Sequence, residues 1–228
     1  QHEAVAIDEA RGAAYLTEDR KEGCLYRFLP DSAAEPHGRG RLQALAIRGA
    51  PRFPLGQQLA KHARFEVQWV DVRPEAGEKD ELRSEAQAAG AAVVCRGEGI
   101  VRTDDGFAFT CTEGGPIQGG QIFHLVPSEQ GGTLELLAQS EDDATLNMPD
   151  NITITPWGDL LVCEDNRETT HLRLITRQGE VVPFARNAMS RSEFAGVCFS
   201  PDGRTVFVNI QEDGLTLAIQ GPFEKLSR

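Results

Sequence analysis

Asp150-Asn151-Ile152-Thr153-Ile154 alternates apolar and polar residues, Pro156-Trp157-Gly158 turns the chain, and Leu160-Leu161-Val162-Cys163 carries it back to the acidic pair Glu164-Asp165. Two short runs rich in branched side chains around a Gly turn form a β-hairpin. The same unit, an acidic opener, an apolar alternation, a Gly turn, an apolar strand and a polar or acidic end, recurs on both sides. Upstream it reads Glu98-Gly99-Ile100-Val101, Asp105-Gly106, Phe107-Ala108-Phe109-Thr110-Cys111-Thr112-Glu113. Downstream it reads Glu193-Phe194-Ala195-Gly196-Val197-Cys198-Phe199, Asp202-Gly203, Thr205-Val206-Phe207-Val208-Asn209-Ile210-Gln211-Glu212. A further copy opens the chain as His2-Glu3-Ala4-Val5-Ala6-Ile7-Asp8, Gly12, Ala14-Tyr15-Leu16-Thr17-Glu18-Asp19.

Each hairpin is followed by further strand-like runs, such as Cys24–Phe28, Gln121–Leu125 and Leu172–Ile175. Three to four short antiparallel strands per repeat describe a propeller blade. The intervals from Gly106 to Gly158 and from Gly158 to Gly203 each match one blade of about 40 to 50 residues. The longer interval after Gly12 holds one blade and an insertion at about 49–91. That insertion contains a strand, Phe65–Val70, and a polar segment over 75–86 that reads as a helix or a solvated linker. The expected fold is therefore all-β: a β-propeller with at least four readable blades, one domain over 1–228, part of a larger ring.

Bulk properties narrow the function. A net charge of −12 over 228 residues repels a polyanionic backbone and argues against a nucleic-acid partner. No run of about 18 apolar residues is present to span a membrane as a helix. Five cysteines with no CxxC pair suggest neither a disulfide framework nor a zinc site, and Cys163 at the end of an apolar strand reads as packed. His2, His37, His62, His124 and His171 lack HxH and HExxH spacing. Gly114–Gly120 lies between two strands and reads as a turn, not a phosphate-cradling loop before a helix. The chain opens inside a strand pattern without an initiator Met, as expected of a processed or truncated piece of something longer.

The repeat phase places the acidic residues. In a blade the first strand lines the central channel and the second returns beside it, so the start of one and the end of the next share a face. Glu3, Glu98, Asp150 and Glu193 sit at a similar distance upstream of their turn glycines and are expected to converge at one channel mouth. Glu18-Asp19, Glu113, Glu164-Asp165 and Glu212 add to that face. Crowded carboxylates repel unless cations neutralise them, and oxygen-rich clusters select hard cations such as calcium. Arg96, Arg186 and Arg20 would join the rim, where a planar guanidinium suits bidentate capture of phosphate.

These motifs resemble those of the PhoX-type alkaline phosphatases. The likeness rests on His2-Glu3-Ala4, Thr17-Glu18-Asp19-Arg20, Arg96-Gly97-Glu98-Gly99, Phe109-Thr110-Cys111-Thr112, Pro149-Asp150-Asn151, Leu161-Val162-Cys163-Glu164-Asp165, Phe184-Ala185-Arg186-Asn187 and Ser192-Glu193-Phe194-Ala195-Gly196, in the expected order. The resemblance implies an exported, periplasmic or secreted, monomeric propeller that hydrolyses small phosphomonoesters with calcium and iron. By motif, Glu3 and Glu98 would bind iron or bridge metals, Asp150, Glu164 and Glu193 would bind calcium, and Arg96 and Arg186 would grip the phosphate. The family's iron-binding Cys, in a Cys-Ala-Gly-Gly segment, has no counterpart here. Two other readings fit the same carboxylates: a non-catalytic propeller holding a structural calcium, and a calcium-dependent lactonase or esterase.

Overall fold

The structure, a computed structural model, describes residues 2–226 except 33, 34, 37, 74–80 and 167. His37 and the first half of the expected polar segment over 75–86 lie outside the described residues.

The described residues form a β-propeller of four successive blades. In the first, β1 (Val5–Asp8), β2 (Ala13–Leu16), β3 (Tyr26–Pro30) and β4 (Gly40–Ile47) pair in order, each antiparallel to the next. Next come β5 (Arg64–Val72) and a short helix, α1 (Leu82–Ala88). The second blade is β6 (Gly97–Arg102), β7 (Phe107–Cys111), β8 (Gln121–Pro127) and β9 (Gly132–Gln139). The third is β10 (Pro149–Ile154), β11 (Leu160–Glu164), β12 (His171–Ile175) and β13 (Val181–Arg186). The fourth has three strands, β14 (Phe194–Phe199), β15 (Thr205–Ile210) and β16 (Leu215–Gln220). The first strands are neighbours around the axis: β1 beside β6, β6 beside β10, β10 beside β14.

The segment read as an insertion is woven into the blades. Its strand β5 pairs with β4 through residues 67–72 and with β9 through residues 64–67, so blades one and two are joined at their outer edges into a nine-stranded sheet. Leu55 and Ala91 from the same segment, and Ala92 and Val94 just after it, are buried. The helical part of the polar segment is α1, whose Ala86 packs with Tyr26, Ala44 and Val72.

Three apolar cores lie between successive blades. Tyr15, Leu45, Ile100, Phe107 and Phe109 fill the first, Ile122, Ile152, Leu160 and Val162 the second, and Leu161, Leu172, Phe194, Val206 and Val208 the third. Strands buried on both faces carry continuous apolar runs: all five residues of β7 and of β11 are buried. In β15 burial alternates, leaving Phe207 exposed on the free face of the last blade.

Three of the four first hairpins share a defect. The register of β6 on β7 slips between Gly97 and Ile100, that of β10 on β11 between Pro149 and Ile152, and that of β14 on β15 between Ala195 and Cys198. A β-bulge bends its strand and re-aims the side chains it carries. Glu98 and Asp150 each sit in one of these bulges, and Glu193 just precedes the third.

Candidate metal centre

The bulges turn carboxylates toward the mouth of the channel. One oxygen each of Asp150, Asp165 and Glu193 lies within 4.8 Å of the others. Glu98, Glu3 and Asp19 stand near enough to add their repulsion. Burial, followed by the charges of Asp150 and Asp19, pushes the Glu98 carboxyl up to about 9. Burial and Asp165 raise Asp150 to about 6. Burial, a hydrogen bond with Asp165 and that group's charge raise Glu193 to about 8.

Arg96 is the guanidinium set among these acids. Its Nε donates to Asp19 Oδ1 at 2.8 Å and its Nη2 to Asp19 Oδ2 at 3.2 Å and Glu98 Oε1 at 2.8 Å. The fork with Asp19 raises the guanidinium's own pKa. Its backbone is left-handed, φ 51°, a conformation uncommon outside glycine and found where surrounding structure enforces it. Here Arg96 N donates to Arg20 O and Arg96 O accepts from Thr112 N, which aims the side chain along Asp19.

Glu164 stands apart from this cluster. Its side chain is fully buried; Oε1 accepts from Arg173 Nε at 2.8 Å and Asn147 N at 3.0 Å, and Oε2 from His171 N at 3.1 Å, with His171 Nδ1 at 3.0 Å. Those partners use the lone pairs a cation would need, and the neighbouring Asp165 faces the channel instead. The reason is strand geometry, since consecutive side chains point to opposite sides. Blade one repeats the division: Glu18 is buried against Tyr26 Oη, Cys24 N and Arg83, while Asp19 turns to Arg96.

Of the other expected residues, Glu3 is near enough to act on Glu98 and Asp150, while the rest have other surroundings. Arg186 is exposed on β13, the outermost strand of its blade, opposite His171 in register. Glu3 is exposed just before β1. Arg20 lies at the surface with Nη1 on Asp19 O at 3.0 Å, and Glu113 pairs with Lys21. A cavity of about 1150 Å³ lies elsewhere, over the face of blade one against Val5, Ile7, Phe28 and Leu42. Its lining is mainly apolar and gathers no comparable set of acids.

A donor set of carboxylate oxygens alone, crowded enough to hold protons near neutrality, fits a hard cation such as calcium. Among the described residues no thiol or imidazole joins Asp150, Asp165 and Glu193. Asp165 was legible only as half of an acidic pair, and Asp19 likewise. The signal that separates each pair is the alternation of the strand it ends.

The family model for alkaline phosphatase PhoX matches residues 1–214. Among solved structures, Pseudomonas fluorescens PhoX in complex with vanadate, a transition-state analogue, superposes with a TM-score of 0.71 at 19% identity, over 92% of this chain and 48% of that one. A calcium-binding protein, regucalcin from Agrobacterium tumefaciens, superposes with a TM-score of 0.51 at 16% identity, over 96% and 54%. The chain thus spans about half the length of either structure, and at these identities the likeness is one of fold. No curated protein sequence matches it.

Proposed function

The chain belongs to the PhoX alkaline phosphatase family, and from that premise we propose that it is a metal-dependent phosphomonoesterase acting on small phosphate esters. The observation that carries this reading is the convergence of Glu98, Asp150, Asp165 and Glu193 beside Arg96 where the inner strands open. Asp150, Asp165 and Glu193 would hold calcium; Glu98 and Glu3 would serve iron or a shared cation. Cations there would supply positive charge opposite the phosphoryl oxygens. Arg96, locked by Asp19, presents a rigid donor to the same oxygens with little reorganisation. Arg186 would reach in from the outer strand only for a substrate large enough to extend over the third blade.

Glu164 enters through structure, holding the strand end that carries Asp165. Acidic net charge favours small esters over nucleic acid. No helix among the described residues is long and apolar enough to cross a membrane. Export to the periplasm or medium, and a monomeric state, complete the proposal.

The test is turnover of p-nitrophenyl phosphate at alkaline pH with metal analysis, before and after treatment with a calcium chelator. Activity that is lost on chelation and returns with calcium supports the reading. Bound calcium and iron without turnover would overturn it. A second reading, a non-catalytic calcium-holding propeller, draws on the place of Arg186 on the outermost strand of its blade: three carboxylates can hold a cation without any substrate. Calcium uptake without iron and without turnover of a phosphate ester or a lactone would select that reading, whereas lactone turnover would select the lactonase.

A further inference from the structure

The bulges that aim Glu98 and Asp150 leave backbone carbonyls out of register with their own hairpins, and a buried carbonyl without a donor is costly. Each is taken by a hydroxyl from the preceding blade. Thr17, fully buried just past β2, donates Oγ1 to Glu98 O. Thr110, fully buried in β7, donates Oγ1 to Asp150 O at 2.5 Å, and Thr112 Oγ1 donates to Pro149 O at 2.9 Å. Pairing register makes Thr17 and Thr110 equivalent in the repeat, since Thr17 directly follows Leu16, the partner of Val5, and Thr110 directly follows Phe109, the partner of Ile100. At the third junction the equivalent position is Cys163, also fully buried.

We propose that Thr17 and Thr110 are positioning residues, which hold the bulged carbonyls of Glu98 and Asp150 and so set the carboxylates of the cation site from the neighbouring blade. The inference rests on the cation-site reading above. A hydroxyl between blades, unlike an apolar contact, has direction: it pins one carbonyl and with it the orientation of one carboxylate. Thr17 also accepts from Ala4 N at 3.1 Å, so a single side chain ties the segment after Glu3 to Glu98.

The experiment is calcium titration of the full chain by calorimetry, well below each variant's melting temperature, on Thr110→Val, Thr110→Ser and Thr110→Cys, with the same series at Thr17. Val keeps the shape and removes the donor, and calcium affinity should fall about tenfold, as for partners behind metal ligands elsewhere. Ser should restore wild-type affinity. Cys, a weaker donor, should fall between them. A purely structural role would lower the melting temperature while leaving the affinity of the folded protein unchanged, so Val variants that bind calcium like wild type would overturn the proposal. If Val variants do not fold, the Ser and Cys variants decide: equal affinities for both overturn it. A wild-type chain that takes up no calcium would instead sink the cation reading itself.

Discussion

Glu164 and Asp165 are neighbours in sequence with opposite tasks. Glu164 is fully buried and its charge is matched by Arg173 at 2.8 Å, whose Nη2 also donates to Ala144 O at 2.6 Å. Removing one partner of a buried pair strands the other charge, at about 3–5 kcal/mol. Arg173→Met should therefore lower unfolding free energy by roughly that amount in urea titration; a loss below about 1 kcal/mol would refute the clamp. Asp150→Asn acts in the opposite direction. It removes one repelling charge from a crowded cluster, so in the presence of a chelator at pH 8 the melting temperature should rise. Calcium affinity should fall by at least about tenfold, the order expected for a ligand. A variant that melts lower in chelator and binds calcium normally would show Asp150 to be structural.

At the scale of elements, the inner strands approach closely where the bulges sit. A Cβ on Gly99 would stand 2.7 Å from Asp150 O and 2.9 Å from Ile152 N, both backbone atoms that move only if β10 moves. Gly99→Ala is expected to cost about 1–3 kcal/mol and, by displacing the Asp150 carbonyl from Thr110, to weaken calcium binding as well. Thermal melts and calcium calorimetry on this one variant read both effects, and normal binding in a destabilised protein would separate the strand contact from the site. A different close approach explains the turn at Gly106: it has no positive φ, but a Cβ there would meet Leu125 O at 2.0 Å. Strand β5 does what the apolar pattern of Phe65–Val70 alone did not disclose. It bridges the outer edges of two blades, a pairing set by residues far away in sequence.

For the whole molecule, the carboxylate cluster makes stability depend on pH in a definite direction. Glu98, Asp150 and Glu193 all titrate above their ordinary values of 4.5, 3.8 and 4.5. Between those values and about 9 the folded chain holds more protons than the unfolded one, so stability is full at the acid end and falls as pH rises. Without metal, the melting temperature should drop between pH 5 and pH 9 by on the order of 5 °C for a chain of this size. Saturating calcium, which binds the ionised carboxylates, should flatten or reverse that slope. A melting temperature independent of pH in chelator would show that the cluster is not crowded in solution.

Much of this was open to a reading of the residues in order. Hairpins at Gly106, Gly158 and Gly203, the strands that follow them, the repeated blade and the phase that brings Glu98, Asp150 and Glu193 to one end are local patterns, carried by period-two alternation and turn chemistry within a few residues of each other. Motif order also identified the family. The fork of Asp19 on Arg96, the place of Arg186 on an outer strand and the hydroxyls passing between blades were decided by tertiary structure alone. Each depends on which way a side chain points after a one-residue bulge, and on which distant strand lies beside it, and a linear pattern of residue types encodes neither.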